Sequence, residues 1–190
     1  LIRSFLAIEL PEAILKRIEE IQRDLRSSNS DVRWVIPEKI HLTLKFFGNI
    51  EESRVDTIAK SIEPLVGGTQ PFSLEAKGMG AFPNIKNPRV IWMGFIDEKQ
   101  VLVPLQKQLE STLATIGFQV EDRPFRPHLT LGRVNSSRGK DELIGRIEKY
   151  KEEKFGDVEV KRFVLFKSDL RPTGPIYTPL RQIKLGQGEG

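Results

Sequence analysis

Apolar residues recur along this chain with two different periods, and the switches between them divide it into elements. Residues 2–9 read as a strand, with Ile2, Phe5 and Ile8 among the apolar positions. Pro11 stands where a helix can begin, because its missing N–H is not needed in a first turn. Ile14, Leu15, Ile18, Ile21 and Leu25 then follow at helical spacing, which predicts an amphipathic helix over 11–27, ended by Ser27-Ser28-Asn29-Ser30. A short strand over 32–35, a turn at Pro37-Glu38-Lys39 and a strand over 41–47 come next, closed by Gly48-Asn49. Val55, Ile58, Ile62 and Leu65 mark a second helix over 51–66.

The order then repeats. A strand is predicted over 72–76, a Gly- and Pro-rich loop over 78–88, a strand over 89–96 and a helix over 98–116 with Gly117 at its end. A strand over 125–134, a Lys- and Glu-rich helix over 139–154, and strands over 158–166 and 176–185 complete the series. The tail 186–190 is predicted to be mobile. Several strands follow one another directly. The expected class is therefore α+β: two pseudo-symmetric lobes, each an antiparallel sheet with helices on its outer face, around a central cleft, forming one domain over 1–190.

Composition narrows the chemistry. The chain has no cysteine, which removes disulfides, thiolate metal sites and cysteine nucleophiles. No apolar run has the length of a membrane span, and the first residues are too short and strand-like for a signal peptide, so a cytoplasmic location is expected. The formal charge of +4 permits an anionic partner without demanding one.

The chain holds 2 histidines, and both open the same tetrapeptide: His41-Leu42-Thr43-Leu44 and His128-Leu129-Thr130-Leu131. On a strand, residues i and i+2 share a face. Each motif would thus project one imidazole and one hydroxyl together, with its leucines anchored behind. A lone strand histidine is usually a packed or surface residue; two that open identical motifs shift the balance to function. Two imidazoles can divide acid and base roles near neutrality, and threonine hydroxyls can donate to non-bridging phosphate oxygens. This suits phosphoryl transfer without a metal. A metal site would need three or four ligands, and neither motif contains a carboxylate.

At these residues the chain resembles the two-histidine (2H) phosphoesterase superfamily, marked by paired His-x-Thr/Ser-x motifs. Among its branches it is most similar to the RNA 2′,3′-cyclic phosphodiesterases, historically called 2′-5′ RNA ligases. Arg3 to Ile8, Trp34 to Gly48, Pro88 to Trp92 and Pro127 to Arg133 carry that resemblance. It implies hydrolysis of a terminal 2′,3′-cyclic phosphate on RNA, tRNA fragments included, to a 2′-phosphate, without cofactor or metal, by a monomer. The reverse reaction would join a cyclic phosphate to a 5′-hydroxyl as a 2′-5′ bond. The resemblance implies His41 as the acid for the leaving O3′ and His128 as the base for water.

Supporting residues are expected beside these. Thr43 and Thr130 would bind phosphate. Arg133 matches an arginine that comes after the second motif in the family and could pair with phosphate, yet strict alternation turns it away from His128 unless Gly132 allows a bulge. Alternation places Arg126 in the cleft, and places Lys45 and Phe47 on the face of His41, where Phe47 could stack on a base or belong to the core. Trp34 and Phe82 are further stacking candidates. Two other readings stay open: a non-catalytic module that captures RNA ends, and a phosphodiesterase for a small cyclic phosphate such as an ADP-ribose derivative.

Overall fold

The structure is a computed structural model, described for residues 1–188. Nine strands and four α-helices alternate in the order β1 (Ile2–Ile8), α1 (Glu12–Arg26), β2 (Val32–Trp34), β3 (Leu42–Ile50), α2 (Arg54–Gly67), β4 (Phe72–Phe82), β5 (Val90–Ile96), α3 (Leu102–Ala114), β6 (His128–Val134), α4 (Lys140–Lys149), β7 (Lys154–Val160), β8 (Arg162–Asp169) and β9 (Ile176–Lys184). A short 3-10 turn spans Pro37–Lys39. The strands form two sheets, β3-β1-β8-β9 and β2-β6-β5-β4-β7, and every pairing is antiparallel. The α+β, two-lobed architecture expected from the sequence is the one observed.

The helices cross between lobes. α1 follows β1 of the first sheet but packs on β7 and α4 of the second-sheet lobe. α3 follows β5 of the second sheet, yet its Gln106 and Glu110 reach β3 of the first. Ile14, Ile18, Ile21 and Leu25 of α1 are all buried, as their spacing requires. They join one continuous apolar cluster that runs behind both sheets. A small separate cluster, Phe5, Ala7, Val164 and Phe166 with Tyr177 against it, lies on the opposite face of the first sheet.

Several boundaries differ from the sequence reading. β4 continues to Phe82, through a stretch read as the start of a loop. Its glycines do specific work there. Gly78 has φ +77° at a ladder irregularity, and Gly80 lies under the Trp92 ring, where a Cβ would sit 2.4 Å from the indole. The single strand expected over 158–166 is two strands, β7 and β8, in different sheets and separated by Lys161 alone. Helix α4 ends at Lys149 and α3 starts at Leu102, both shorter than predicted. At the tail, the Gly186 and Gly188 N–H groups donate to Thr69 and Gly67 carbonyls at 2.8 and 2.7 Å, so this stretch is tied to the end of α2. Residues 189 and 190 lie outside the described residues. No described helix is long and apolar enough to cross a membrane.

Candidate active site

The histidine and threonine of each tetrapeptide lie on the face of their sheet that points away from the helices. Leu42, Leu44, Leu129 and Leu131 are buried in the main core, which leaves His41, Thr43, His128 and Thr130 half-buried on the other side. The two motif strands, β3 and β6, come into contact across the seam between the sheets. The Val35 N–H crosses the same region to the Leu131 carbonyl, at 3.0 Å.

The imidazoles are held alike. His41 Nδ1 lies 3.2 Å from the carbonyl of Lys39, and His128 Nδ1 lies 2.7 Å from the carbonyl of Arg126. In each case the partner is two residues earlier. A carbonyl can only accept, so each Nδ1 carries a proton and donates. That leaves Nε2 of each ring as the nitrogen that can take or give a proton.

Their surroundings differ. His41 is packed in an aromatic box, with ring centroids 4.8 Å from Phe166, 5.4 Å from Tyr177 and 6.1 Å from Phe5. Loss of solvent pushes its pKa below the ordinary imidazole value, against weaker upward pulls from the Lys39 carbonyl and Glu9. Burial also raises the Tyr177 phenol, which therefore stays protonated at neutral pH. His128 has a single aromatic neighbour in contact, Phe82, edge-on at 5.2 Å.

Alternation breaks just after each threonine. In β3, Ala7 pairs with Thr43 but Leu6 pairs with Lys45, so Leu44 is an extra residue, a β-bulge. A second irregularity leaves Phe47 unpaired between Phe46 and Gly48. The bulge overturns the expectation for Lys45 and Phe47. Lys45 turns inward, is 5% exposed, and its Nζ meets Glu110 at 2.8 Å and the Gln119 carbonyl at 2.6 Å. Phe47 packs edge-on against Phe118 at 4.9 Å, away from His41. The residue that takes the face of His41 is Phe46. It pairs with Phe5 and is 61% exposed, a large apolar ring left open beside the aromatic box.

β6 repeats the device. Trp92 pairs with Thr130 and Ile91 with Gly132, so Leu131 is the bulged residue. Gly132 then faces the core side, where a Cβ would sit 2.8 Å from Val32 and 2.9 Å from Trp34. Arg133 falls on the opposite side, the face of His128 and Thr130. There it pairs across the ladder with Arg33. Like charges directly opposite repel. Both arginines are exposed, and none of the ion pairs among the described residues involves either one. Arg33 was not singled out by the sequence reading; only its ladder partner reveals it. Arg126 precedes β6 in an irregular segment, its side chain exposed and its carbonyl committed to His128. Trp34 packs on the core side under the Arg26 guanidinium, 5.8 Å from the ring centre, and is not a cleft residue. Among the described residues no three His, Asp or Glu side chains gather into a metal-binding set.

Comparison with known proteins fits this geometry. The sequence profile of the family described as LigT like Phosphoesterase matches residues 8–92 and 96–177. A Methanocaldococcus jannaschii protein named RNA 2′,3′-cyclic phosphodiesterase is 38% identical over 180 residues, covering 95% of this chain and 99% of its own. A Thermus thermophilus crystal structure superposes with a TM-score of 0.80 at 29% identity, covering 99% of this chain and 100% of that one. Escherichia coli LigT complexed with 3′-AMP superposes with a TM-score of 0.73 at 26% identity, covering 98% and 99%. Two motif strands with matched histidines, on two lobes of this topology, and a profile spanning nearly the whole chain lead to one assignment: this protein belongs to the LigT-like phosphoesterase family.

Proposed function

We propose that this phosphoesterase opens the 2′,3′-cyclic phosphate at an RNA end to leave a 2′-phosphate, using His41 and His128 as an acid–base pair without a metal. The observation that carries this reading is the matched presentation of the two imidazoles. Each is fixed through Nδ1 to the carbonyl two residues before it, and each stands beside a threonine hydroxyl on the open face of its sheet. Such groups are the parts that in-line displacement at phosphorus requires.

The family resemblance assigns the division of labour: the less enclosed His128 takes a proton from the attacking water and His41 donates to the departing O3′. Desolvation lowers the His41 pKa, so its imidazolium is the stronger acid but the minor species at neutral pH. Thr43 and Thr130 donate to the non-bridging oxygens. Phe46 offers a face for the terminal base, and Arg33 with Arg133 offers charge to the chain's phosphates. With a 5′-hydroxyl in place of the attacking water, the same proton transfers and the same departure of O3′ make a 2′-5′ bond.

The test is turnover of an oligoribonucleotide ending in a 2′,3′-cyclic phosphate, in EDTA, with identification of the product. A 2′-phosphate end is expected. RNA binding without hydrolysis would favour a capture module, and turnover of small cyclic phosphates alone would move the substrate class.

A further inference from the structure

We infer that two buried glutamines, Gln22 and Gln106, are the positioning residues of the two histidine motifs, each clamping the bulge just beyond its threonine. The inference deepens the reading of the site given above and rests on it for the reaction. Its geometry stands independently.

Both bulges fall at the fourth residue of the tetrapeptide, Leu44 and Leu131. A bulge leaves its extra residue out of the regular ladder. Each of these carbonyls receives a side-chain amide, at Leu131 in addition to the Val35 N–H. Gln106 Nε2 donates to the Leu44 carbonyl at 3.1 Å, and Gln22 Nε2 donates to the Leu131 carbonyl at 3.0 Å. The two glutamines are 6% and 1% exposed.

Neither amide is free to turn away. The second N–H of Gln106 goes to Glu110 Oε1 at 3.1 Å, and Glu110 is held in turn by Lys45. The second N–H of Gln22 goes to the Val35 carbonyl at 2.8 Å. Both donors of each amide are thus spent on fixed partners.

The arrangement is crossed. Gln22 lies on α1, from the half of the chain that carries the first motif, yet it clamps the second. Gln106 on α3 does the converse. Each helix therefore ties the reactive strand of the other half, so the spacing between the two motifs depends on both clamps.

The clamps also set which side chains share the face of each threonine further along its strand. With the bulge in place, Phe46 and Arg133 share the face of His41 and His128 respectively. Without it, regular alternation would put Lys45 and Gly132 on those faces and turn Phe46 and Arg133 away. A single hydrogen bond from a side-chain amide thus links the reacting group to the neighbouring substrate contact on each strand.

The experiment uses the fact that the chain has 2 histidines, so each imidazole gives its own NMR titration. Gln106→Met and Gln22→Met remove the donor while filling the space. Gln106→Met is expected to move the His41 titration and leave that of His128, and Gln22→Met the reverse. kcat on the cyclic-phosphate RNA should fall on the order of 10²-fold, as for a displaced reacting group, with KM changed less. Folded variants in which neither imidazole titration moves, or both move equally, would overturn the proposal whatever the substrate proves to be. Should a variant not fold, the wild-type protein decides. Slow hydrogen exchange at both glutamine side-chain amides supports the clamp, and exchange at the rate of surface amides overturns it.

Discussion

The two halves of this site share a backbone arrangement and differ in the side chains packed around the imidazole. Each presents a histidine held through Nδ1 to the carbonyl two residues earlier, a threonine, and a bulge clamped by a buried glutamine. Around His41 the walls are aromatic, and the residue after the bulge is an inward lysine paired with Glu110. Around His128 there is one aromatic edge, and the residue after the bulge is a glycine that lets β2 pack close. Repetition of a strand motif presents two imidazoles in the same way. The neighbours give the two rings different surroundings, with His41 desolvated among aromatic rings and His128 against one aromatic edge.

The strongest way to break the comparison is to remove the rings. His41→Ala and His128→Ala should each lower kcat by at least about 10²–10⁴-fold on cyclic-phosphate RNA while circular dichroism stays native. Retained turnover in either would mean that the half concerned is not part of the machinery. Next comes the buried pair found only in the His41 half. Lys45→Ala leaves Glu110 without its cation and should cost about 3–5 kcal/mol of stability in a denaturant titration. A loss under about 1 kcal/mol would show that the pair is dispensable. Thr43→Ala and Thr130→Ala should each cost about 1–3 kcal/mol of transition-state stabilisation, read from kcat/KM.

The smallest expected effect concerns pH and sharpens the contrast between the two rings. Burial lowers the pKa of His41, so the unfolded chain binds its proton more readily than the folded one. The resulting stabilisation is present above the unfolded imidazole value and is lost as pH falls through the lowered, folded value. His41→Phe fills the box without a titrating group and should flatten thermal stability across that window. An unchanged slope would contradict the desolvation argument.

The histidine–threonine pairs were legible because they precede the bulges, where a period of two still holds. Beyond Thr43 it fails. Lys45 and Phe47 were expected beside His41, and an extra residue at Leu44 turned Lys45 into the core and brought Phe46 out in its place. The same slip at Leu131 turned Arg133 to the face of His128 and Thr130, the side that the family pattern favoured over alternation. A bulge is set by a partner far away in sequence, in this fold an amide on a crossing helix, so local spacing carries no trace of it. One signal was available. Gln22 sits within the apolar stripe of α1 and Gln106 within that of α3, and a polar side chain on a buried stripe needs a specific partner. The β7–β8 junction was hidden for another reason: a single residue carries the chain from one sheet to the other, with no glycine or proline at the turn.

The most direct measurement is a titration of the protein with a nucleoside 2′-phosphate while both imidazole signals are monitored. Both are predicted to shift along one binding curve with a single dissociation constant. A response from one ring only, or two curves with separate constants, would contradict the shared phosphate site on which the account depends.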